Sequence, residues 1–260
     1  MKKVLTIAGS DCSGGAGIQA DLKTIMAHKC YGMSVITALT AQNTTGVYAI
    51  DTCAPELVKK QLTCVMEDIE PDAIKIGMVS SVEIIRVIAE TLLQYKAKNI
   101  VLDPVMVSTS GSSLMSPDAI DALCNILMPL ATVITPNLFE AELLSEHTIK
   151  NTEDMLIAAG KISKKYRGNI LIKGGHLDAA AYDLLYTSDH FKWFKAKRLD
   201  NTNTHGTGCT LSSAIASNLA LGHSIEESIN NGKNYVTGAI ADNMDLGKGR
   251  GPLNHCYCLL

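Results

Sequence analysis

The sequence has no stretch approaching the roughly 18 consecutive apolar residues that a membrane-spanning helix needs. Met1-Lys2-Lys3-Val4-Leu5-Thr6-Ile7 starts like a signal peptide, but its apolar run stops at Ala8-Gly9-Ser10-Asp11, too soon for an h-region. The expectation is no membrane partner and a cytoplasmic address. A long basic run is also missing, and 23 Lys and Arg against 26 Asp and Glu leave a net charge of −3. That excludes the electrostatic footprint of a nucleic-acid binder. Any anion site must therefore come from local backbone geometry, which puts weight on the glycine loops. The eight cysteines, at 12, 30, 53, 64, 124, 209, 256 and 258, form no C-x-x-C pair. Most read as small core hydrophobes, and Cys256-Tyr257-Cys258 is spaced too tightly for a zinc clip. Repeats, low-complexity linkers and composition breaks are absent as well, which predicts one domain over residues 1–260. At 47% hydrophobic and 19% charged residues, the chain fits a compact enzyme with a large core.

Short apolar runs alternate with amphipathic stretches, the pattern of an α/β fold with a largely parallel sheet. Strands are expected at 4–8, 34–41, 73–76, 100–102, 133–134 and 170–172, with a small antiparallel pair at 183–186 and 191–195. Helices are expected at 18–28, 56–67, 82–95, 117–127 and 152–166, with another after Asn137 and two at the end of the chain. Polar residues recur just past strand ends: Asp11, Gln42, Asp103, Asn137 with Glu140, and Lys173. Ligands of parallel α/β sheets bind at that edge, so the five positions point to one cleft.

The stretch Thr204-His205-Gly206-Thr207-Gly208-Cys209-Thr210 precedes a run of small and apolar residues with helical spacing. Its glycines then lie at a helix start, where unpaired N–H groups and the helix dipole attract phosphate. Cys209 in that turn is expected to have a thiol more acidic than in solution. Gly9-Ser10-Asp11-Cys12-Ser13-Gly14-Gly15-Ala16-Gly17 also joins a strand to a helix. It has neither the G-x-G-x-x-G of a dinucleotide site nor the Lys-Ser/Thr pair of a P-loop. The loop instead lets the backbone approach a flat small molecule, with Asp11 as an acceptor. Gln42 offers a carboxamide that can accept from an exocyclic amine and donate to a ring nitrogen, or else it is a turn amide. Asn137 and Glu140, three apart, and Asp103 could hold the waters of Mg²⁺, or form an ordinary cap. Lys173 is a candidate for nucleotide phosphates or a snorkelling surface lysine. Lys233 and the stretch Gly247-Lys248-Gly249-Arg250-Gly251-Pro252 could border a phosphate or ribose site.

Along nearly its whole length the chain resembles the bacterial hydroxymethylpyrimidine/phosphomethylpyrimidine kinases of the ribokinase superfamily. The resemblance is carried by Leu5–Asp11, Ser13–Thr24, Thr37–Thr44, Lys75-Ile76-Gly77-Met78, Asp103-Pro104-Val105-Met106, Thr135-Pro136-Asn137 with Glu140, Lys173-Gly174-Gly175-His176 and His205–Thr210, all in the same order. It implies a ribokinase-like three-layer α/β/α sandwich with a mostly parallel central sheet, usually dimeric, using ATP and Mg²⁺.

The resemblance also implies roles. Cys209 is the proton acceptor for the substrate hydroxymethyl group, and Gly206, Thr207 and Gly208 form an anion hole over the γ-phosphate. Gln42 reads the aminopyrimidine edge, and Gly9, Ala16, Met78 and Val105 line the ring pocket with Asp21 nearby. Lys173, Thr207 and Lys233 are assigned to the nucleotide, and Asn137 and Glu140, with Asp103, to the metal. Cys12 stands where the family commonly has proline, which alters the stiffness of the first loop. Pyridoxal kinases that carry the cysteine are the alternative. A non-catalytic pyrimidine sensor and a redox role for Cys209 stand further off.

Overall fold

The alternation of apolar side chains along the strands decides the layering. In the computed structural model, which describes residues 1–106, 115–175, 180–197, 199 and 201–258, nine strands form one sheet. They are β1 (Lys3–Asp11), β2 (Tyr31–Asn43), β3 (Gly46–Thr52), β4 (Ala73–Ile76), β5 (Ile100–Leu102), β6 (Val133–Ile134), β7 (Asn169–Gly174), β8 (Ala180–Tyr186) and β9 (Phe191–Lys197). Their order is β3-β2-β1-β4-β5-β6-β7-β8-β9. The six from β2 to β7 in that order are parallel, and β3, β8 and β9 pair antiparallel at the two sides.

Leu5 and Ile7, Ile74 and Ile76, Ile100 and Leu102 point to one face. The residues between or beside them, Val4, Ala73 and Val101, point to the other. The first face is covered by α2 (Pro55–Asp68), α3 (Val82–Gln94), α4 (Pro117–Ala122) and α6 (Thr152–Ile162). The second is covered by α1 (Gly17–Ala27), α7 (Thr207–Ala220) and α8 (Ile225–Ala241). Each fully buried Ile or Leu contributes roughly 1.5–3 kcal/mol relative to exposure, so two faces are needed to bury both apolar sets. The result is the expected three-layer α/β/α sandwich.

Local signals set the helix ends. Ser81 caps α3 by accepting the Ile84 N–H, and Ile84, Ile85, Ile88 and Leu92 then fall on its buried stripe. Pro55 opens α2 and Pro117 opens α4, where a missing N–H is harmless. The expected helix at 117–127 leaves α-geometry at Leu123, continuing as a π-helical turn to Leu127 and a 3-10 turn over Met128–Leu130.

Three expectations are corrected. The first glycine loop is shorter than 9–17, because β1 runs on through Gly9, Ser10 and Asp11. Strand β3, half of a hairpin with β2, was not anticipated. The pair at 183–186 and 191–195 is longer and is part of the main sheet, β8 lying against β7.

Candidate active site

Strand order places the cleft. The chain leaves β1 for β2 on one side and reaches β4 on the other, so the loops after β1 and β4 diverge and leave a crevice at their carboxyl ends. Gly9 and Met78 meet there: a Cβ at Gly9 would lie 2.6 Å from the Met78 methyl. Met78 is fixed through its carbonyl, which accepts from Thr37 Oγ1 at 2.8 Å. Val105 lies half-buried just past β5.

Asp11 closes the first loop rather than facing a ligand. Its Oδ1 accepts from Ser13 N at 2.9 Å and Ser13 Oγ at 2.7 Å. Its Oδ2 accepts from Ala16 N and from His205 Nε2, both at 2.9 Å. Burial raises the pKa of this carboxyl, but the bonds from His205, Ser13 and Ala16 outweigh it and bring it to about 2. Four donors occupy both oxygens, so the expectation that Asp11 offers an acceptor to the ring is not met. Ala16 is likewise tied to the loop, at the start of α1.

The His205 ring reaches this loop because Gly15 has no side chain: a Cβ there would lie 2.3 Å from the ring. Gly206 follows with φ +84°, and its own Cβ would lie 1.8 Å from the Gly15 carbonyl oxygen. Only glycine fits that position. His205 also comes within 3.2 Å of Gln42 Nε2, at the end of β2.

Gly206 caps α7 with its backbone. The Thr210 N–H returns to the Gly206 carbonyl. Between them, the N–H groups of Gly208 and Cys209 have no backbone acceptor among the described residues. Thr207 Oγ1 is turned back onto Thr204 O at 2.7 Å. The turn thus presents unpaired N–H groups of the kind expected to attract an anion. The acidity expected of Cys209 is a correction: burial pushes its thiol above the usual range, Lys75 opposes, and the negative charges of Asp21 and Asp103 add to the rise. The helix start does not overcome desolvation. Its Sγ is approached by the Gly17 N–H, while His205 is engaged by Asp11 and Gln42 instead.

Beneath Cys209 lies a buried ion pair. Lys75 Nζ stands 3.0 and 2.8 Å from the two oxygens of Asp21. Thr6 donates to Oδ2 at 2.6 Å and Ser213 to Oδ1 at 2.7 Å. Asp21 has no exposed surface: it lies near Cys209, whose thiol feels its charge, and its oxygens are held by Lys75, Thr6 and Ser213.

On the other side of α7, a Cβ at Gly208 would lie 3.4 Å from both Asp103 Oδ2 and Lys173 Nζ. Lys173 donates to Asp103 Oδ1 at 2.7 Å, and Thr135 Oγ1 donates to the same oxygen at 3.0 Å. Burial raises the Asp103 pKa, but Lys173 and Lys75 outweigh it and hold it below the usual range. Asn137 and Glu140 form a capping box at the start of α5 (Leu138–Ser145), each accepting the other's N–H. Burial, reinforced by Asp103 and only partly offset by Lys173, raises Glu140 to about 7. Among the described residues no group of three or more His, Cys, Asp or Glu side chains is arranged to hold a metal. Asp103 and Glu140, two carboxylates facing one lysine, still suit a magnesium ion held through waters and substrate phosphates.

Lys233 is held by a carboxylate. It forms a buried ion pair with Asp183 Oδ2, while Asp183 Oδ1 accepts the Gly174 N–H at 3.0 Å. It stands behind the Lys173-Gly174 strand end. His176 lies outside the described residues.

A family model described as phosphomethylpyrimidine kinase matches residues 11–254. The chain belongs to the phosphomethylpyrimidine kinase family. A hydroxymethylpyrimidine/phosphomethylpyrimidine kinase of Rhizobium meliloti is 48% identical, over 97% of this chain and 96% of the relative. The crystal structure of a phosphomethylpyrimidine kinase from Clostridium difficile is 50% identical with a TM-score of 0.83, covering 92% of this chain and all of that one. A pyridoxal kinase of Bacillus subtilis, solved as an ADP complex, superposes with a TM-score of 0.91 at 38% identity, over 99% and 98% of the two chains. The ribokinase-like sandwich is shared across these relatives.

Two features of this phosphomethylpyrimidine kinase family member escaped the sequence reading. One is the Lys75–Asp21 pair, whose signal was a lysine inside the apolar strand Ala73-Ile74-Lys75-Ile76. The other is the bond from His205 to Asp11, 194 positions away, for which spacing gives no signal.

Proposed function

We propose that this chain is a hydroxymethylpyrimidine/phosphomethylpyrimidine kinase. It transfers a phosphoryl group from ATP to 4-amino-5-hydroxymethyl-2-methylpyrimidine, and a second to the monophosphate, giving the diphosphate used in thiamine synthesis. The observation that carries this reading is the convergence of three parts on one crevice: the Gln42 amide, the Gly206–Gly208 turn and the Asp103–Lys173–Glu140 cluster. A carboxamide complements the N–C–NH₂ edge of a pyrimidine, and the turn complements a phosphoryl group.

Gly9, Ala16, Met78 and Val105 bound the ring, whose hydroxymethyl oxygen faces the γ-phosphorus. The new O–P bond forms as the bond to the leaving ADP oxygen breaks, and the hydroxyl proton passes to Cys209. The free N–H groups of the turn and the Lys173 ammonium meet the charge spreading over the transferring oxygens, the main contribution a protein makes to this reaction. Lys173 faces the nucleotide, with Thr207, bonded back onto Thr204, shaping the turn beside it and Lys233 supporting the Lys173 strand end through Asp183. Asp103 and Glu140, with Asn137 shaping the helix start, would hold Mg²⁺, which neutralises phosphate charge when bound.

The rest of the reading follows from that chemistry. The whole chain, 1–260, acts as one domain in the cytoplasm, and no described helix is long and apolar enough to cross a membrane. The chain works as a homodimer, in support of which Leu39, Tyr48 and Ile50 stand exposed on the β2–β3 hairpin. A second reading, pyridoxal kinase, is favoured by the likeness to the Bacillus subtilis enzyme. Side-by-side kinetics with hydroxymethylpyrimidine, its monophosphate and pyridoxal test the choice. A kcat/KM at least about tenfold higher for the pyrimidine, a gap of roughly 1.4 kcal/mol, is expected. A preference for pyridoxal overturns it.

A further inference from the structure

We infer that His205 is the positioning residue that sets which way round the Gln42 amide reads its substrate, and so which way round the pyrimidine lies. The inference rests on the pyrimidine reading above.

The geometry contains two proton conflicts. His205 Nε2 is 2.9 Å from Asp11 Oδ2, an oxygen that can only accept while the carboxyl is ionised. The ring nitrogen must therefore carry a hydrogen and donate it. Yet Gln42 Nε2, also a donor, lies 3.2 Å from the same nitrogen. A similar conflict stands at Thr40. Its single hydroxyl hydrogen has two acceptors, Ser10 O at 3.0 Å and Gln42 Oε1 at 3.2 Å.

One rotation resolves both. Amide oxygen and nitrogen are assigned from their hydrogen-bond network. With the amide turned by half a revolution, its oxygen accepts from the His205 N–H, shared with Asp11. Its nitrogen then donates to Thr40 Oγ1, whose hydrogen stays on Ser10 O. Both conflicts are then gone. One lone pair of the amide oxygen and one N–H remain for a ligand, on fixed sides.

Those sides matter because the pyrimidine edge is handed. The exocyclic amine donates and the ring nitrogen accepts, so exchanging the amide ends turns the ring over and swings the hydroxymethyl group to the other side. His205 is held against such a change. It is buried, its N–H on the backbone bonds Gly251 O at 3.1 Å, and Gly15 leaves its ring no spare room.

The test compares the wild-type chain, His205→Leu and His205→Gln in steady-state kinetics with hydroxymethylpyrimidine, pyridoxal and ATP. Loss of the N–H in His205→Leu is expected to raise the pyrimidine KM about tenfold and to lower the pyrimidine-to-pyridoxal preference by a similar factor. The KM for ATP stays within about twofold, and His205→Gln, whose amide restores a donor, recovers most of the loss. Equal losses for all substrates, or a Gln variant no better than Leu, overturn the proposal.

A second measurement reads the wild-type chain itself. Nitrogen-15 NMR of the histidine-labelled wild-type chain reports whether Nε2 of His205 is protonated, with the His205→Gln spectrum used only for assignment. A bare Nε2 overturns the proposal. A wild-type chain that phosphorylates pyridoxal but not the pyrimidine overturns the substrate reading instead, while the ring protonation still decides the His205–Gln42 arrangement.

Discussion

A cysteine at a helix N-terminus is subject to opposing effects, and in this chain burial outweighs the helix start. Desolvation, with Asp21 and Asp103, disfavours the thiolate of Cys209, and the Lys75 ammonium and the Gly17 N–H favour it without prevailing. The consequence is a pH dependence with a definite sign. If Cys209 accepts the hydroxyl proton, only its thiolate is competent, so kcat rises with pH up to the raised thiol pKa and then levels. Cys209→Ala is expected to lower turnover by about 10²-fold or more and to flatten that alkaline rise. Turnover near that of wild type in the variant, or an unchanged rise, contradicts the role. The same balance explains why a sequence cannot report this thiol's acidity. The motif fixes its place on the helix, whereas the neighbouring charges come from α1, β4 and β5.

At the scale of elements, one carboxylate ties four of them. Asp21 on α1 is held by Thr6 on β1, Lys75 on β4 and Ser213 on α7. The tie sets the spacing between the loop that holds the ring and the helix that carries Cys209. Lys75→Met leaves Asp21 charged and buried with only two hydroxyl donors. It is expected to destabilise the chain by about 3–5 kcal/mol, whereas Lys75→Met with Asp21→Leu, which removes both charges, costs much less. Urea unfolding of the singles and the double checks this, and additive losses would show that the pair does not act as a unit. Such ties account for what the sequence left unread. Ala73–Ile76, Ile100–Leu102 and Val133–Ile134 were placed to the residue, because a short buried strand is announced by its apolar run. Asn137 announced its cap in the same way. Asp11 and Lys233 read toward ligands from their place beside a strand end or a motif, and Asp21 through the family resemblance. The partners that decide their places, His205 for Asp11, Lys75 and Ser213 for Asp21 and Asp183 for Lys233, lie far along the chain, where spacing gives no signal.

The whole molecule carries a stability cost at its candidate metal site. Glu140 is held protonated up to about pH 7, against an ordinary value of 4.5. A carboxyl with a raised pKa contributes stability that is fully present below about 4.5 and is lost as pH rises towards 7, since the unfolded chain ionises first. By linkage the loss reaches roughly 3 kcal/mol at most, because part of the strain relaxes around Asp103 and Lys173. Asp11 acts in the opposite sense: its stabilisation is present above 3.8 and fades as pH falls to about 2. The two slopes leave neutral pH, where the kinase must work, on the unfavourable side for Glu140. Glu140→Gln isolates the effect, because glutamine keeps the capping box with Asn137 and cannot ionise. At pH 8 the variant is expected to melt several degrees above wild type, at about 2–4 °C per kcal/mol for a chain of this size. At pH 4.5 the two should melt together, while phosphoryl transfer by the variant falls at both. A melting difference independent of pH would mean that the gain comes from packing, and a variant less stable at pH 8 would mean that the ionised carboxylate is well held by Lys173. A cation bound at the proposed site would favour the ionised carboxylate and return that stability, which would couple folding to the loading of the site.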